Sequence, residues 1–223
     1  EDPLSVKIDQ QNQKQIVPEP DSATGAMAYN YKIDVPPGRN GMRPDLKLNY
    51  NNQNRIQNSV FGYGWSINIP YIERVNKKGS STLYTDNYFT SSLSGELVNI
   101  SGSLYGSKIE IGNFLKYDYS NDAWTVTDKS GTIYTFGLSA GARQDDPNNS
   151  AHIYKWMLEK MQDTNGNFIS YTYFKDAGQI YPDMITYTNN GSTNGIFSVT
   201  FARESRSDTM KESSEGFLVT TNY

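Results

Sequence analysis

The most literal catalytic pattern in the sequence is Gly137-Leu138-Ser139-Ala140-Gly141, a match to the G-x-S-x-G turn that presents a nucleophilic serine. Such a serine needs a base for its proton and a carboxylate to orient that base. Asp145, Asp146 and His152 follow in the chain order that many hydrolases use. The context argues against this chemistry: the motif requires a helix after the serine, whereas Asp145-Asp146-Pro147-Asn148-Asn149 is turn-forming. Asp163-Thr164-Asn165-Gly166-Asn167 has the opening rhythm of a calcium loop, but Phe174 stands at the twelfth position, where a bidentate Glu is needed, so it reads as a hairpin turn. Gly62-Tyr63-Gly64 is no dinucleotide loop, because Ile67 occupies the third glycine position. The expectation is a chain with no catalytic residue, no metal and no cofactor.

Composition narrows the choice further. The 223 residues allow one large domain or two small ones. Zero Cys and one His exclude disulfide frameworks, thiolate nucleophiles and zinc sites built on two or three histidines. A formal charge of −4 argues against a nucleic-acid partner. The longest apolar run is the four residues Ala26–Tyr29, too short for membrane insertion by a helix. Aromatics make up 13% of the chain, more than a disordered segment carries, beside 22 Asn, 23 Ser, 17 Thr and 18 Gly. That mixture reads as many short strands joined by turns, and it suits an exported bacterial surface or toxin-type protein.

The elements that must position these residues follow from periodicity. Residues 1–25 read as an extended, flexible tether, with a Gln-rich run and Pro18-Glu19-Pro20, and residues 26–223 as one β-rich domain. Met27, Tyr29, Tyr31, Ile33 and Val35 alternate with polar residues, the mark of a half-buried strand that Pro36-Pro37-Gly38 stops. Leu46, Leu48 and Tyr50 repeat the alternation, and Ile67 and Ile69 form a short strand. Further strands are expected at 97–100, 108–111, 114–119, 168–173, 184–188 and 197–201, and 217–223 reads as the middle of a strand in a longer chain. Residues 124–127 and 132–136 read as a hairpin about Ser130-Gly131, and 139–151 as a long polar loop. Residues 154–161 fit a helix (Tyr154, Met157, Leu158, Met161) and a strand (Tyr154, Trp156, Leu158) equally well. The fold class expected is all-β, mostly antiparallel, with about a dozen strands.

One segment is far more specific than the rest. Val35-Pro36-Pro37-Gly38-Arg39-Asn40-Gly41-Met42-Arg43-Pro44-Asp45-Leu46-Lys47-Leu48-Asn49-Tyr50, followed by Phe61-Gly62-Tyr63-Gly64-Trp65-Ser66, resembles the N-terminal domain of the Salmonella virulence plasmid B-type proteins. That domain is shared with the B component of insecticidal toxin complexes. Asp128–Gly137 is similar to the family's D-x-x-G-x-x-Y-x-F-G hairpin. Trp156–Asn167 is similar to its W-x-L-x-K-x-x-D-x-x-G-N unit and to the tyrosine–aspartate repeats of Rhs proteins, which favours strand for 154–161.

The resemblance implies a non-enzymatic segment of a large β-shell, or cocoon, that encapsulates or delivers a C-terminal toxin in a secreted or cell-surface protein. Its implied partners are the remainder of its own chain (repeat shell and toxin), other toxin-complex subunits and the secretion machinery. Shell strands with two wetted faces agree with a mean hydropathy of −0.67 and abundant Tyr. The motif residues Pro36, Pro37, Gly38, Gly41, Pro44, Leu46, Leu48, Tyr50, Gly62, Gly64 and Trp65 take structural roles: Gly38 and Gly41 supply turns, Gly62 and Gly64 let backbone pass beside the Trp65 ring, and Trp65 is a core anchor. Some plasmid B-type relatives carry an ADP-ribosyltransferase domain with a Glu-x-Glu pair, and Glu212 and Glu215 here have the wrong spacing for it. Arg39, Arg43 and Arg55 gather cations around the Pro-Gly turns, as a solvated loop or as partners for acidic strands. Two other classes remain as alternatives: an exported adhesin or carbohydrate-binding β-module using its 29 aromatic residues, and a hydrolase resting on Ser139.

Overall fold

Alternating side chains and frequent glycine turns build a chain of short antiparallel strands. The computed structural model describes residues 27–53 and 59–223, so the expected tether at 1–25 and Arg55 lie outside the described residues. The first three strands, β1 (Ala28–Ile33), β2 (Leu46–Asn51) and β3 (Trp65–Ile67), form a small sheet of their own, in that order. Its register pairs Tyr31 with Leu48 and Tyr50 with Trp65.

The next strands are β4 (Tyr71–Arg74), β5 (Phe89–Ser91), β6 (Gly95–Ser101), β7 (Leu104–Ser107), β8 (Lys116–Ser120), β9 (Ala123–Thr127) and β10 (Ile133–Phe136). From β5 onward each pairs antiparallel with its predecessor. After β11 (Arg143–Asp146) comes the 14-residue β12 (Asn149–Gln162), which pairs with β4 through Lys155–Met157 and with β10 through Leu158–Gln162. The pairings β12–β4–β5–β6–β7–β8–β9–β10–β12 therefore run in a closed ring, and closure removes the exposed edges that an open sheet would leave.

On the other side, β12 continues into an open sheet of β13 (Asn167–Asp176), β14 (Gln179–Asn190) and β15 (Phe197–Thr200). A final two-stranded ribbon, β16 (Met210–Glu212) and β17 (Val219–Thr221), lies near β14.

The inward-facing residues of the ring form a dry aromatic core. Phe89, Tyr117, Trp124, Val126, Phe136 and Trp156 are all fully buried. Trp124 holds ring centroids of Tyr119 at 4.7 Å, Phe89 at 4.9 Å, Tyr105 at 5.1 Å and Trp156 at 6.2 Å. Most of these contacts are edge-on, the arrangement that ring quadrupoles favour. Trp156 donates its indole N–H to the Asp122 carbonyl at 2.8 Å, whereas the Trp124 indole N–H has no acceptor among the described residues.

Into the same core projects Arg74, buried with no carboxylate bonded to it among the described residues. Its guanidinium donates to the carbonyls of Ile153 (2.9 Å), Asp86 (2.9 Å) and Leu83 (3.3 Å) and lies over Tyr84, Phe89 and Trp156 at 5.2–5.6 Å. Burial pulls its pKa below the usual arginine value, while Tyr119, Tyr84 and Asp122 push it back. Starting so high, it stays charged at neutral pH.

The all-β antiparallel expectation holds, and 154–161 is strand, as the family resemblance favoured. Other expectations need correction. The described residues form 17 strands instead of about a dozen. Residues 139–151 are not one loop: a single 3-10 turn at Ala140–Ala142 leads into β11 and the start of β12, because β12 is long enough to pair with both β10 and β11 along one edge. The strand expected at 108–111 is displaced to β7, and Ile109 and Ile111 sit exposed in the loop that follows. The picture of strands wetted on both faces fails for the ring, whose interior is closed to water.

Candidate functional site

The Pro-Gly motif forms the connection from β1 to β2. The Gly41 N–H donates to the Gly38 carbonyl at 3.1 Å and the Met42 N–H to the Arg39 carbonyl at 3.0 Å. Asn40 and Gly41 both adopt left-handed backbone, φ 53° and 73°. Gly38, expected to supply a turn conformation, instead has φ −87°, which any residue adopts. Glycine is required there for space, since a Cβ would collide with the Met42 carbonyl and sit 3.2 Å from the Tyr187 ring. Tyr187 also donates its hydroxyl to the Pro36 carbonyl at 3.1 Å, so this turn is pinned onto β14. Arg43 donates to the Val35 carbonyl at 3.2 Å across the connection.

Pro36 and Pro37 are exposed, Pro44 and Leu46 are buried, and Leu48 and Tyr50 are half-buried. The expectation for the second glycine pair is corrected. Gly64 (φ 78°) makes room for the Tyr50 ring, 2.8 Å from where a Cβ would lie, and Gly62 (φ 96°) faces open space, with the Trp65 ring not within 4 Å of it. Trp65 is not a core anchor. It is half-buried, tilted against Tyr50 at 5.2 Å, because β3 belongs to the small outer sheet and not to the ring.

What Trp65 does is wall a cavity of about 170 Å3 where the three sheets meet. The small sheet contributes Trp65 with Phe61 before it, the connection from β3 to β4 contributes Ile69, the long sheet contributes Lys155, Met157, Gln144, Gln179, Ile180 and Pro182, and Glu215 borders it from the β16–β17 turn. Lys155 lies 2.9 Å from Glu73 and 4.5 Å from the Tyr71 ring centroid, so its charge is compensated locally. Gln144 is buried, and its amide nitrogen donates to the Gly178 carbonyl at 3.0 Å and to Gln179 Oε1 at 3.4 Å. Glu215 is buried next to Glu212. Burial first, then hydrogen bonding and repulsion from Glu215, raise the Glu212 pKa to about 7.

The residues with catalytic types are not assembled. Ser139 is exposed, its backbone N–H donates to Glu159 Oε2 at 2.8 Å, and a 3-10 turn follows it where the hydrolase motif needs a helix. Asp145 is ion-paired with Lys175. Asp146 and His152 do meet, at 3.6 Å, with the imidazole stacked on Tyr84 at 4.3 Å, but no hydrogen bond among the described residues links His152 to Ser139. Asp163 caps its own turn: its carboxylate accepts from the backbone of Asn165 (2.9 Å) and Asn167 (2.8 Å) and from the Asn167 side chain (2.8 Å). Burial would raise its pKa, and these hydrogen bonds outweigh that and lower it. Among the described residues no cluster of three or more His, Cys, Asp or Glu could hold a metal. Gln144 and Gln179 escaped the sequence reading, because isolated polar residues inside strands carry no motif and only the fold makes them neighbours of anything.

Comparisons with known proteins agree with this architecture. The Salmonella virulence plasmid 65kDa B protein (SpvB) family matches residues 21–111 and 104–206. Mono(ADP-ribosyl)transferase SpvB of Salmonella typhimurium and that of Salmonella choleraesuis are each 29% identical over 76 residues, 34% of this chain and 12% of theirs. The chain thus matches about an eighth of the length of these curated relatives. Among solved structures, the N-terminal domain of effector protein SpvB from Salmonella typhimurium strain LT2 superposes with a TM-score of 0.67 at 18% identity, covering 82% of this chain and 80% of that one. The TcdB2-TccC3 crystal structure gives 0.75 at 20% identity over 92% of this chain and 13% of that one, and the Photorhabdus luminescens Tc holotoxin pore gives 0.72 at 20% over 93% and 13%. At such identities these likenesses speak to the fold.

Proposed function

The chain belongs to the Salmonella virulence plasmid 65kDa B protein family, and from that premise we propose that it is a non-enzymatic stretch of wall in a toxin-complex or Rhs-like shell. In this reading the shell encloses or delivers a toxic segment of the same polypeptide, and the parent protein acts outside the bacterial cell. The carrying observation is the asymmetry of the long sheet. One part closes into a ring with its edges satisfied, while the other ends at β15, whose outer edge pairs with no strand among the described residues. A free edge of N–H and C=O groups is a template for another strand, and a wall is extended by adding strands there. Further support comes from the unassembled Ser139, Asp145 and His152, and from the fold shared with the Tc structures. Among the described residues no helix is long and apolar enough to cross a membrane.

The test is electron microscopy of the full-length parent protein together with limited proteolysis. A hollow particle that shields an internal segment from protease, and loses that protection when residues 27–223 are deleted, is the expected result. A compact particle without a lumen, or unchanged protection after the deletion, overturns the wall reading.

A further inference from the structure

We propose that the cavity where the three sheets meet is a binding site for a phenol-type ring, one apolar six-membered ring bearing a neutral hydrogen-bond donor, either free or as a tyrosine side chain of a peptide. The proposal rests on the cavity alone and stands whether or not the wall reading does.

Size sets the first limit. An apolar protein cavity of roughly 150 Å3 takes up benzene, and this one is about 170 Å3, so it holds a single ring with a small substituent. The lining sets the second. Phe61, Trp65, Ile69, Met157, Ile180 and Pro182 present apolar and aromatic surface, which suits a ring and not a sugar with hydroxyls on every side.

Polarity sets the third. Gln144 is only 3% exposed, and both of its described side-chain hydrogen bonds are donated by its amide nitrogen. Its carbonyl oxygen therefore remains as an acceptor with no donor among the described residues. That oxygen is not among the sealed polar atoms that lack a partner, which are those of Asp86, Asp118 and Trp124, so it keeps an opening, and Gln144 lines this cavity. A dehydrated acceptor costs free energy unless a guest supplies the donor, which selects a phenol over toluene. Charge sets the last limit. Lys155 is compensated by Glu73 at 2.9 Å, which leaves no free cation among the described residues of the lining for an anionic guest.

The experiment is an amide-resolved NMR titration of the 223-residue chain with p-cresol, toluene, benzylamine and N-acetyltyrosinamide. Expected are saturable shifts at Trp65, Met157 and Ile180, with p-cresol roughly tenfold tighter than toluene. N-acetyltyrosinamide binding as well as p-cresol identifies a peptide-borne ring as the guest, and p-cresol alone identifies a free phenol. Gln144→Leu should bring p-cresol down to the toluene affinity. Because Gln144 also holds Gly178, Met157→Phe serves as the second variant: it fills the cavity and should abolish both ligands while the thermal melt is kept. No shifts at millimolar ligand, shifts mapping elsewhere, equal affinity for p-cresol and toluene, or tighter binding of benzylamine would each overturn the proposal.

Discussion

The closed ring of β4–β10 with β12 and the open sheet of β13–β15 share one strand and one chemistry of alternating residues, yet they solve the edge problem differently. In the ring each face is decided by closure: the interior holds Trp124, Trp156 and Phe89 away from water, and both edges of β12 are occupied. In the outer sheet β15 reads half-buried, exposed, half-buried, exposed from Phe197 to Thr200, with an edge that pairs with nothing further among the described residues. The lesson is that stability and assembly are divided between the two. The ring supplies a dry core, and the open sheet supplies a surface that more chain can complete.

The largest test of that division removes a ring from the core. Trp156→Ala should cost about 4 kcal/mol, from lost burial, a cavity and the lost bond to Asp122, whereas Phe197→Ala in the open sheet should cost about 1 kcal/mol. Urea denaturation measures both, and equal costs would break the comparison. Trp124 sharpens it: Trp124→Phe keeps an aromatic ring and removes an indole N–H that has no acceptor among the described residues, so it should cost less than half as much as Trp156→Phe.

Next comes the buried guanidinium. Arg74→Met should destabilise by about 3 kcal/mol, because three carbonyls lose their donor inside the ring. If the methionine proves neutral in the same denaturation series, the aromatic cage and not the hydrogen bonds holds this end of the ring.

At the junction of β10 with the turn that follows, Gly137 has φ 58°, and a Cβ there would collide with the Trp156 ring. Gly137→Ala should therefore cost about 2 kcal/mol or more, against about 1 kcal/mol for Gly102→Ala, where φ is 56° but no atom outside its chain neighbours lies within 4 Å. The pair separates backbone conformation from crowding, read as thermal midpoints of the two variants.

The smallest effect is electrostatic and lies outside the ring. Glu212 titrates near 7 in the folded chain and near 4.5 unfolded. A carboxyl group with a raised folded pKa favours folding while it is protonated. Its contribution is thus full below about pH 4.5 and is lost as pH rises to about 7. After discounting for solvent around a half-buried group, roughly 1 kcal/mol is at stake. Asp128 and Asp163 are shifted the other way, and their contributions fade as pH falls below about 4. The two windows do not overlap, so Glu212→Gln should flatten stability between about pH 4.5 and 7 and leave the acid limb in place.

Much of the architecture was legible in the residues themselves. Alternation at 27–35 and 46–50, the Ser130-Gly131 and Asn165-Gly166 turns and the absence of Cys follow from local rules, since a strand face and a left-handed turn are decided within a few positions. The family followed from the motif at 35–66, because glycine and proline at fixed spacing record backbone constraints directly.

What only the tertiary structure decided are the long-range partners. Nothing local says that β12 closes a ring through both β4 and β10, that Trp156 and Trp124 are core while Trp65 is not, or that Gly64 serves Tyr50. Gln144, Lys155 and Glu215 became one cavity because three sheets converge on it. Pairing such as that of Lys155 with Glu73 is set by which burial the whole chain can achieve at once, and no window of sequence contains that sum.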